Sequence, residues 1–586
     1  MTATSSRSVV RRLALLALGL LLAASFIAVF RQSRAPIDRL WLRAPGWSRA
    51  TLIGHTTAEH AVPFAFDAQG QPYLLLVPPE LGGTHPQLVA LDRRAQPRWH
   101  ADLTAAPAAP TAPQLVWDGT ALRAFWLSNQ QLYGARIATN GEILEEPRLL
   151  SGAAVVESYS AVADANGRMA AWFGGTLRNP GVYALTGDLA APQQIDNDGI
   201  RPTLRFDPHG TLHAAWITES SAQQRDTRIA YTTVAAAARP APSRTVLTIE
   251  SYRAGDNVEG PWLGIDAQTV YLLWSATAPR SGAVFSQFAS FPLGAPEQIS
   301  EIQAFTMPMQ SGANYQASDG ALKAGPRLAL GQAVGGPLTN ISSNASAANE
   351  LAVALVSQQY TNKQLVKQVS IMFTRNGAPS TYQILSNTPD NALTPYLASD
   401  AQQHLYASWR IVGQNGYRVY FASTAPDLVA ALRPITQGDL ARMVIDTVFG
   451  LLTGAMLAPI AAVACLVGPL LVLGVTWFLR RKAETWRDWR VYLSVGAALL
   501  AFWIIKQALL ESMANIVPFA AWVPIIPNSL GEVLRWGITL LSLVLGLWIA
   551  WRVTVRAGRY SAVLFVLAYI AVDSLITMAV FGEAML

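Results

Sequence analysis

A short frame of residues recurs through the middle of this chain and limits the fold more than any other feature. In its fullest copy it runs Pro202, Leu204, Phe206, Asp207, Gly210, Leu212, Ala214 and Trp216. It returns at Pro113, Leu115, Trp117, Asp118, Leu122, Ala124 and Trp126, and again at Pro261, Leu263, Ile265, Asp266, Val270, Leu272 and Trp274. A fourth copy stands at Pro395, Leu397, Asp400, Leu405, Ala407 and Trp409. Tyr159 replaces the proline in a variant with Ala161, Ala163, Asp164, Gly167, Ala170 and Trp172. A looser copy opens the series at Pro63, Asp67, Gly70, Tyr73, Leu75 and Val77, and a degenerate one without the Asp stands at Leu351, Val353 and Leu355.

Alternate residues of a strand share one face, so Leu212, Ala214 and Trp216 form one buried face, and the strand before them alternates likewise. Between the two strands, Asp207, Pro208 and Gly210 occupy the first, second and fourth positions of a type I turn. Each unit is therefore a β-hairpin, and downstream strands such as 228–232 and 417–421 suggest a second hairpin per unit. Asp67, Asp118, Asp164, Asp207 and Asp266 fall 43 to 59 residues apart, the length of a four-stranded propeller blade. The expected fold is an all-β propeller of six to eight blades, most simply seven, flanked by transmembrane α-helices. A strand near Trp47 to Ile53 is expected to close the ring on the last blade, the Gly- and Ala-rich stretch from Met307 to Ala348 reads as an insertion, and the tryptophans read as packing between blades.

From about Pro63 to Thr424, and at Asp207 to Trp216 in particular, the units resemble the Asp-box (BNR) blades of sialidase-like propellers. The family box places Gly two residues after Asp, whereas Gly follows by three in Asp67–Gly70, Asp164–Gly167 and Asp207–Gly210. The Gly-His and Trp-Asp signatures of WD40 repeats are absent. The resemblance implies the propeller fold. The arginine triad, Tyr–Glu pair and acid/base Asp of sialidases have no matching motif here, so no catalytic residue is carried across.

In a propeller, the loops entering the innermost strands gather on one face. Asp196-Asn197, Asp256-Asn257 and Asp390-Asn391 each stand five or six residues before a frame proline, and Glu157, Asp198 and Glu259 occupy comparable loops. These residues predict an oxygen-rich rim that would take Ca²⁺, with its 6–8 oxygen ligands, or a hydroxyl-rich or cationic group. The plainer reading is that Asp and Asn initiate turns through their own backbone. His209 and His213 straddle a turn, so they do not share a helix face as zinc ligands would, and together with His404 they read as ordinary strand residues.

Apolar sequence is concentrated at the two ends. Leu13 to Phe30 follows Arg7, Arg11 and Arg12 and reads as an uncleaved signal anchor, a cleaved signal peptide being the alternative. The apolar region from Met443 to Leu479 is too long for one span, so 434–479 is expected to be an interfacial helix followed by a transmembrane helix, or a tight hairpin. Further spans are expected at 491–510, 533–551 and 561–581. The loops 480–490 and 552–560 are rich in Arg, while 511–532 has no Lys or Arg. The positive-inside bias then places residues 1–12 in the cytoplasm, the anchor at 13–30 and a propeller at 31–433 outside the cell membrane, on its periplasmic or extracellular side. Lys506 and Asp573 fall at nearly equal depth within their spans, and intramembrane charges are costly unless paired, so the two are expected to meet, the alternative being that Lys506 snorkels outward and Asp573 faces water near the outer surface.

Only 14% of residues are charged, against about 25% in ordinary soluble domains, and a net charge of +6 without a Lys/Arg cluster excludes nucleic acid as a partner. Cys465 is the sole cysteine, which excludes an intramolecular disulfide and a Cys-based zinc site. Three functions compete. The first is a non-enzymatic module that binds a glycan or protein ligand outside the bilayer. The second is a sialidase-like surface glycosidase, which needs paired carboxylates roughly 5–10 Å apart, with Glu157, Glu259 and Asp256 as candidates. The third is an accessory subunit of a membrane protein complex.

Overall fold

The computed structural model describes residues 39–40, 44, 46–164, 166–186, 191–219, 226–234, 242–249, 258–277, 284–304, 350–361, 364–375, 377–386, 388, 390–413, 416–480, 489–510, 519, 523, 526, 530–557 and 561–581. The anchor at 13–30 and the insertion from Met307 to Ala348 lie outside these residues. The chain divides into two compact units, Arg39–Pro434 and Met1–Asp38 with Ile435–Leu586.

Arg39–Pro434 is a seven-bladed β-propeller built of antiparallel sheets. Blade 1 begins at Phe64–Phe66, blade 2 at Thr111–Trp117, blade 3 at Ser158–Ala163, blade 4 at Gly199–Phe206 and blade 5 at Val258–Ile265. Blade 6, from the degenerate copy, has three strands, Glu350–Thr361, Gln364–Arg375 and Ala378–Ile384. Blade 7 contributes Ala392–Ser399, Leu405–Gly413 and Gly416–Ser423, and its fourth strand comes from the other end of the unit: Ala50–Thr56 pairs with Gly416–Ser423, Thr51 opposite Phe421 and Thr56 opposite Tyr417. The ring is thus closed by hydrogen bonds between the first and last parts of the domain, three residues later than the stretch expected from sequence.

The frame proline and the frame tryptophan turn out to be two halves of one device. In blade 2, Thr111 pairs with Leu127 and Gln114 with Phe125, so Ala112 and Pro113 together face Trp126. Likewise Arg201 and Pro202 face Trp216, Gly260 and Pro261 face Trp274, and Thr394 and Pro395 face Trp409. Two residues opposing one is a β-bulge, and proline, which has no N–H for the ladder, is tolerated there. The residue before each proline is left-handed, with φ of 47°, 53°, 107° and 41° at Ala112, Arg201, Gly260 and Thr394. Blade 3, with Tyr159 in place of the proline, pairs without interruption and sets Ser160 opposite Trp172. The tryptophans are buried between neighbouring blades: Trp126 packs with blade 1, and Trp172 and Trp216 join one cluster across blades 3 and 4.

The Asp turns are built alike. Asp207 Oδ1 accepts the amides of His209 and Thr211, and Gly210, at φ 79°, closes the turn onto the Asp207 carbonyl. Equivalent amide pairs bond Asp67, Asp118, Asp164, Asp266 and Asp400. The second oxygen reaches a side chain on the next strand, Tyr73, Arg123, His213, Tyr271 or Tyr406. These turns gather on one face of the ring, the turn face, and the connections between blades lie on the other, the loop face. At Asp118, desolvation alone would raise the carboxyl, but the Thr120 hydroxyl, the amides of Ala121 and Thr120, and Arg123 bring it down to about 2.

After Ser423 the chain forms the short helix α1, Pro426–Leu432, whose Leu428 and Leu432 pack with Val62, Phe64 and Phe421 where blades 7 and 1 meet. Strand Gly416–Ser423 ends on the turn face, so the chain leaves the propeller there, and Arg49 Nη1 donates to the Pro434 carbonyl at 3.4 Å.

Among the described residues of the second unit, four helices are long and apolar enough to cross a membrane. They are α2 (Gln437–Arg480), α3 (Trp489–Leu510), α4 (Gly531–Arg556) and α5 (Ala562–Phe581). The break expected within 434–479 is absent, because α2 is one helix of 44 residues that accommodates Pro459 and Pro469 in its interior. At 1.5 Å per residue it is about 66 Å long, roughly twice a hydrocarbon core. Cys465 and Leu473 of α2 join a core with Phe502 of α3, Ala550 of α4 and Tyr569 of α5. A β-carbon on Gly454 would collide with the backbone of Met578 and Ala579, so glycine lets α2 and α5 approach closely.

Candidate functional site

The described residues of the expected acidic rim stand at the ends of strands on the loop face, and three of them, Asp196, Asp390 and Asn391, have partners within the propeller. Asp196, the last residue of the outer strand Ala191–Asp196, accepts the indole N–H of Trp216 at 2.9 Å on Oδ2 and the amide of Asp198 at 2.8 Å on Oδ1. Asp390 pairs with Arg418 at 3.1 Å, and Asn391 Oδ1 accepts the amide of Lys367 at 2.8 Å. Asn197 and Glu259 are exposed. Asp256 and Asn257 lie outside the described residues. These side chains belong to blades 3, 5 and 7 and their entry loops, and the contacts they make are with their own or the adjacent blade. Among the described residues, no group of three or more His, Cys, Asp or Glu could hold a metal ion.

What sequence reasoning missed on this face is Arg201. Its Nε and Nη2 donate to Glu157 Oε1 at 3.1 and 2.9 Å, and its Nη1 donates to the Val258 carbonyl at 2.7 Å. One side chain from blade 4 therefore ties the entry of blade 3 to the entry of blade 5. The left-handed backbone of the bulge places Arg201 outside the regular alternation of its strand. The signal was present in sequence: of the four residues that precede a frame proline opposite a tryptophan, Ala112, Gly260 and Thr394 are small and Arg201 is not.

Arg410 is a further cation on this face, in addition to Arg201 and Arg418. It is buried, lies 4.1 Å over the ring of Tyr417, and donates to the carbonyls of Ala58 and Glu59 in the loop that joins the closing strand to blade 1. Partial desolvation by the surrounding protein, and then the Arg410 charge, hold the nearby His60, whose side chain still reaches solvent, below its ordinary range. On the opposite, turn face of the propeller, His213 is not an ordinary strand residue. It is almost fully buried between Asp207 Oδ2, at 3.2 Å from Nε2, and the Tyr231 hydroxyl. Burial lowers the imidazole against the opposing pull of Asp207. His213 and Tyr231 are only 2% and 3% exposed.

In the helical unit the structure brings Lys506 and Asp573 together. Lys506 Nζ donates to Asp573 Oδ2 at 2.7 Å, and Ser542 Oγ of α4 donates to Asp573 Oδ1 at 2.8 Å.

No known family model matches the chain, and no curated protein matches it in sequence. Several solved structures resemble it over about two thirds of its length. One is a protein of unknown function from Dyadobacter fermentans, at 8% identity, covering 65% of this chain and 99% of that one with a TM-score of 0.37. Another is an α-L-arabinofuranosidase from Fusarium graminearum, at 9% identity, 66% and 97% coverage and a TM-score of 0.37. A third is an ulvan lyase, a polysaccharide lyase, at 10% identity, 66% and 98% coverage and a TM-score of 0.39. Likeness at this level transfers no chemistry.

Proposed function

We propose that this chain is a membrane-anchored propeller that holds its loop face outside the membrane and binds a glycan or protein ligand there without catalysing a reaction. The observation that carries the reading is the division of labour between the two faces. The last propeller strand, Gly416–Ser423, ends on the turn face, and the loop face carries Arg201, Glu157, Glu259 and Asp390, with Glu259 and Asp390 exposed. The helices, by their length and apolar composition, supply the anchor, and the arginine-rich loops at 480–490 and 552–560 orient it.

Of the candidate carboxylates, Glu157 is engaged by Arg201, as Asp196 is by Trp216 and Asp390 by Arg418 on the same face, and Glu259 stands exposed, an arrangement that suits recognition of a ligand better than a paired acid and nucleophile. The test uses full-length protein in lipid nanodiscs, screened against glycans with and without Ca²⁺ and co-purified from native membranes. Wild type and a Glu259→Arg variant are compared throughout. A ligand held by wild type and lost by the variant supports the loop face. Equal retention by both, or release of sugar from a glycoside substrate, overturns the proposal; retention through the helices alone marks an accessory subunit.

A further inference from the structure

Lys506, Asp573 and Ser542 come from three different helices, yet each is buried: their exposures are 7%, 2% and 0%. Asp573 uses both carboxylate oxygens, one for the ammonium of α3 and one for the hydroxyl of α4. The three groups meet on the inside of the bundle, next to the apolar core that Phe502 and Tyr569 form with an edge-on contact of 5.7 Å between ring centroids.

We infer that this triad is an assembly clasp: the partner of the Lys506 ammonium comes not from α3 but from α5, 67 residues further on, so α3 becomes stably packed only when α5 delivers Asp573. Helix α3 has the lowest mean hydropathy of the four candidate spans, 1.4 against 1.9 to 2.5, and Lys506 lies within the segment so rated. A lone buried cation is strongly unfavourable, and so is a lone buried carboxylate; together, with a hydroxyl on the second oxygen, they are tolerated. The consequence is specificity of partner. A helix that packs in place of α5 without a carboxylate at that depth leaves the ammonium stranded, and Ser542 fixes which side of α4 faces the pair. Burial between helices, rather than the bilayer itself, sets this requirement, so it stands independently of the ligand-binding proposal.

The test is a compensation series on the full chain: Lys506→Met, Asp573→Leu, the double variant, and the reversed pair Lys506→Asp with Asp573→Lys. The readouts are the yield of monodisperse protein after gentle solubilisation and the temperature at which it aggregates. Each single variant is expected to lower the yield about tenfold or more, since it leaves one uncompensated charge, while the double apolar variant returns to within about twofold of wild type. The reversed pair is expected to recover part of the loss. Single variants that match wild type would overturn the clasp, and so would a double variant no better than the singles, because the two residues would then not answer for each other.

Discussion

Four tryptophans occupy the same place opposite a bulge, but their indole nitrogens do not share a fate. Trp216 donates to Asp196 and Trp274 to Gln287, whereas the N–H groups of Trp126 and Trp409 are buried with no hydrogen-bond partner among the described residues. Trp216→Ala is expected to destabilise the propeller by about 3–5 kcal/mol through the cavity it leaves. Trp216→Phe should cost about 1–2 kcal/mol more than Trp126→Phe, because only the first strands a carboxylate oxygen; equal melting losses for the two would show that the Asp196 bond contributes nothing. His213 supplies a second test at this scale. The folded state holds its ring neutral, whereas the unfolded chain takes up a proton near pH 6.5, so its contribution is complete above that pH and is lost as the pH falls below it. Wild type should therefore melt progressively earlier between pH 7 and 5, and His213→Gln should flatten that part of the profile. Sequence placed His213 on a strand but could not show that Tyr231, 18 residues away, and Asp207 would enclose it.

At the scale of elements, the spacing of proline and tryptophan was plainly legible, but its meaning was not. Alternation of apolar residues marks the faces of a strand, whereas a bulge is a relation between two strands, visible only when both are paired. The left-handed residue it needs is costly for anything but glycine, by about 1–2 kcal/mol. Ala112→Gly should accordingly stabilise the propeller by up to about 1 kcal/mol, and a melting temperature that falls instead would mean that the bulge of blade 2 is unstrained. The acidic dipeptides illustrate the converse. Asp and Asn at strand ends suggested ligand oxygens, but Asp196 and Asn391 serve a neighbouring indole and a backbone amide, as their propensity for local and near-backbone bonding allows. In the second unit, the glycines and prolines of 450–469 suggested a break that α2 does not have. Helix breakers act through the backbone partners they remove, and packing against other helices can restore those partners.

For the molecule as a whole, closure is the decisive event. Every blade but the seventh is made from consecutive sequence, and the seventh needs Ala50–Thr56 to give it a fourth strand. Deleting residues 39–56 should therefore expose the edge of Gly416–Ser423 and unseat the cluster that Ile53 shares with Phe64, Leu76 and Phe421. The expected outcome is loss of cooperative unfolding and aggregation through the open edge, followed by scattering during a thermal ramp. A deletion variant that still unfolds in one sharp transition near the wild-type temperature would show that six intact interfaces hold the ring without its clasp.

The sequence alone determined the repeat, its all-β character, a range of six to eight blades and the apolar segments, because these follow from periodicity and length, which are local properties; the seven blades themselves come from the sheet topology. It also singled out Lys506 and Asp573, since charge within an apolar run is conspicuous. Tertiary structure alone decided which side chains share a site. It set Arg201 across three blades, buried His213, added Ser542 to the Lys506–Asp573 pair and gave Asp196 and Asp390 partners within the propeller. Such contacts depend on the register between strands and helices far apart in sequence, where a shift of one residue turns a side chain to the opposite face.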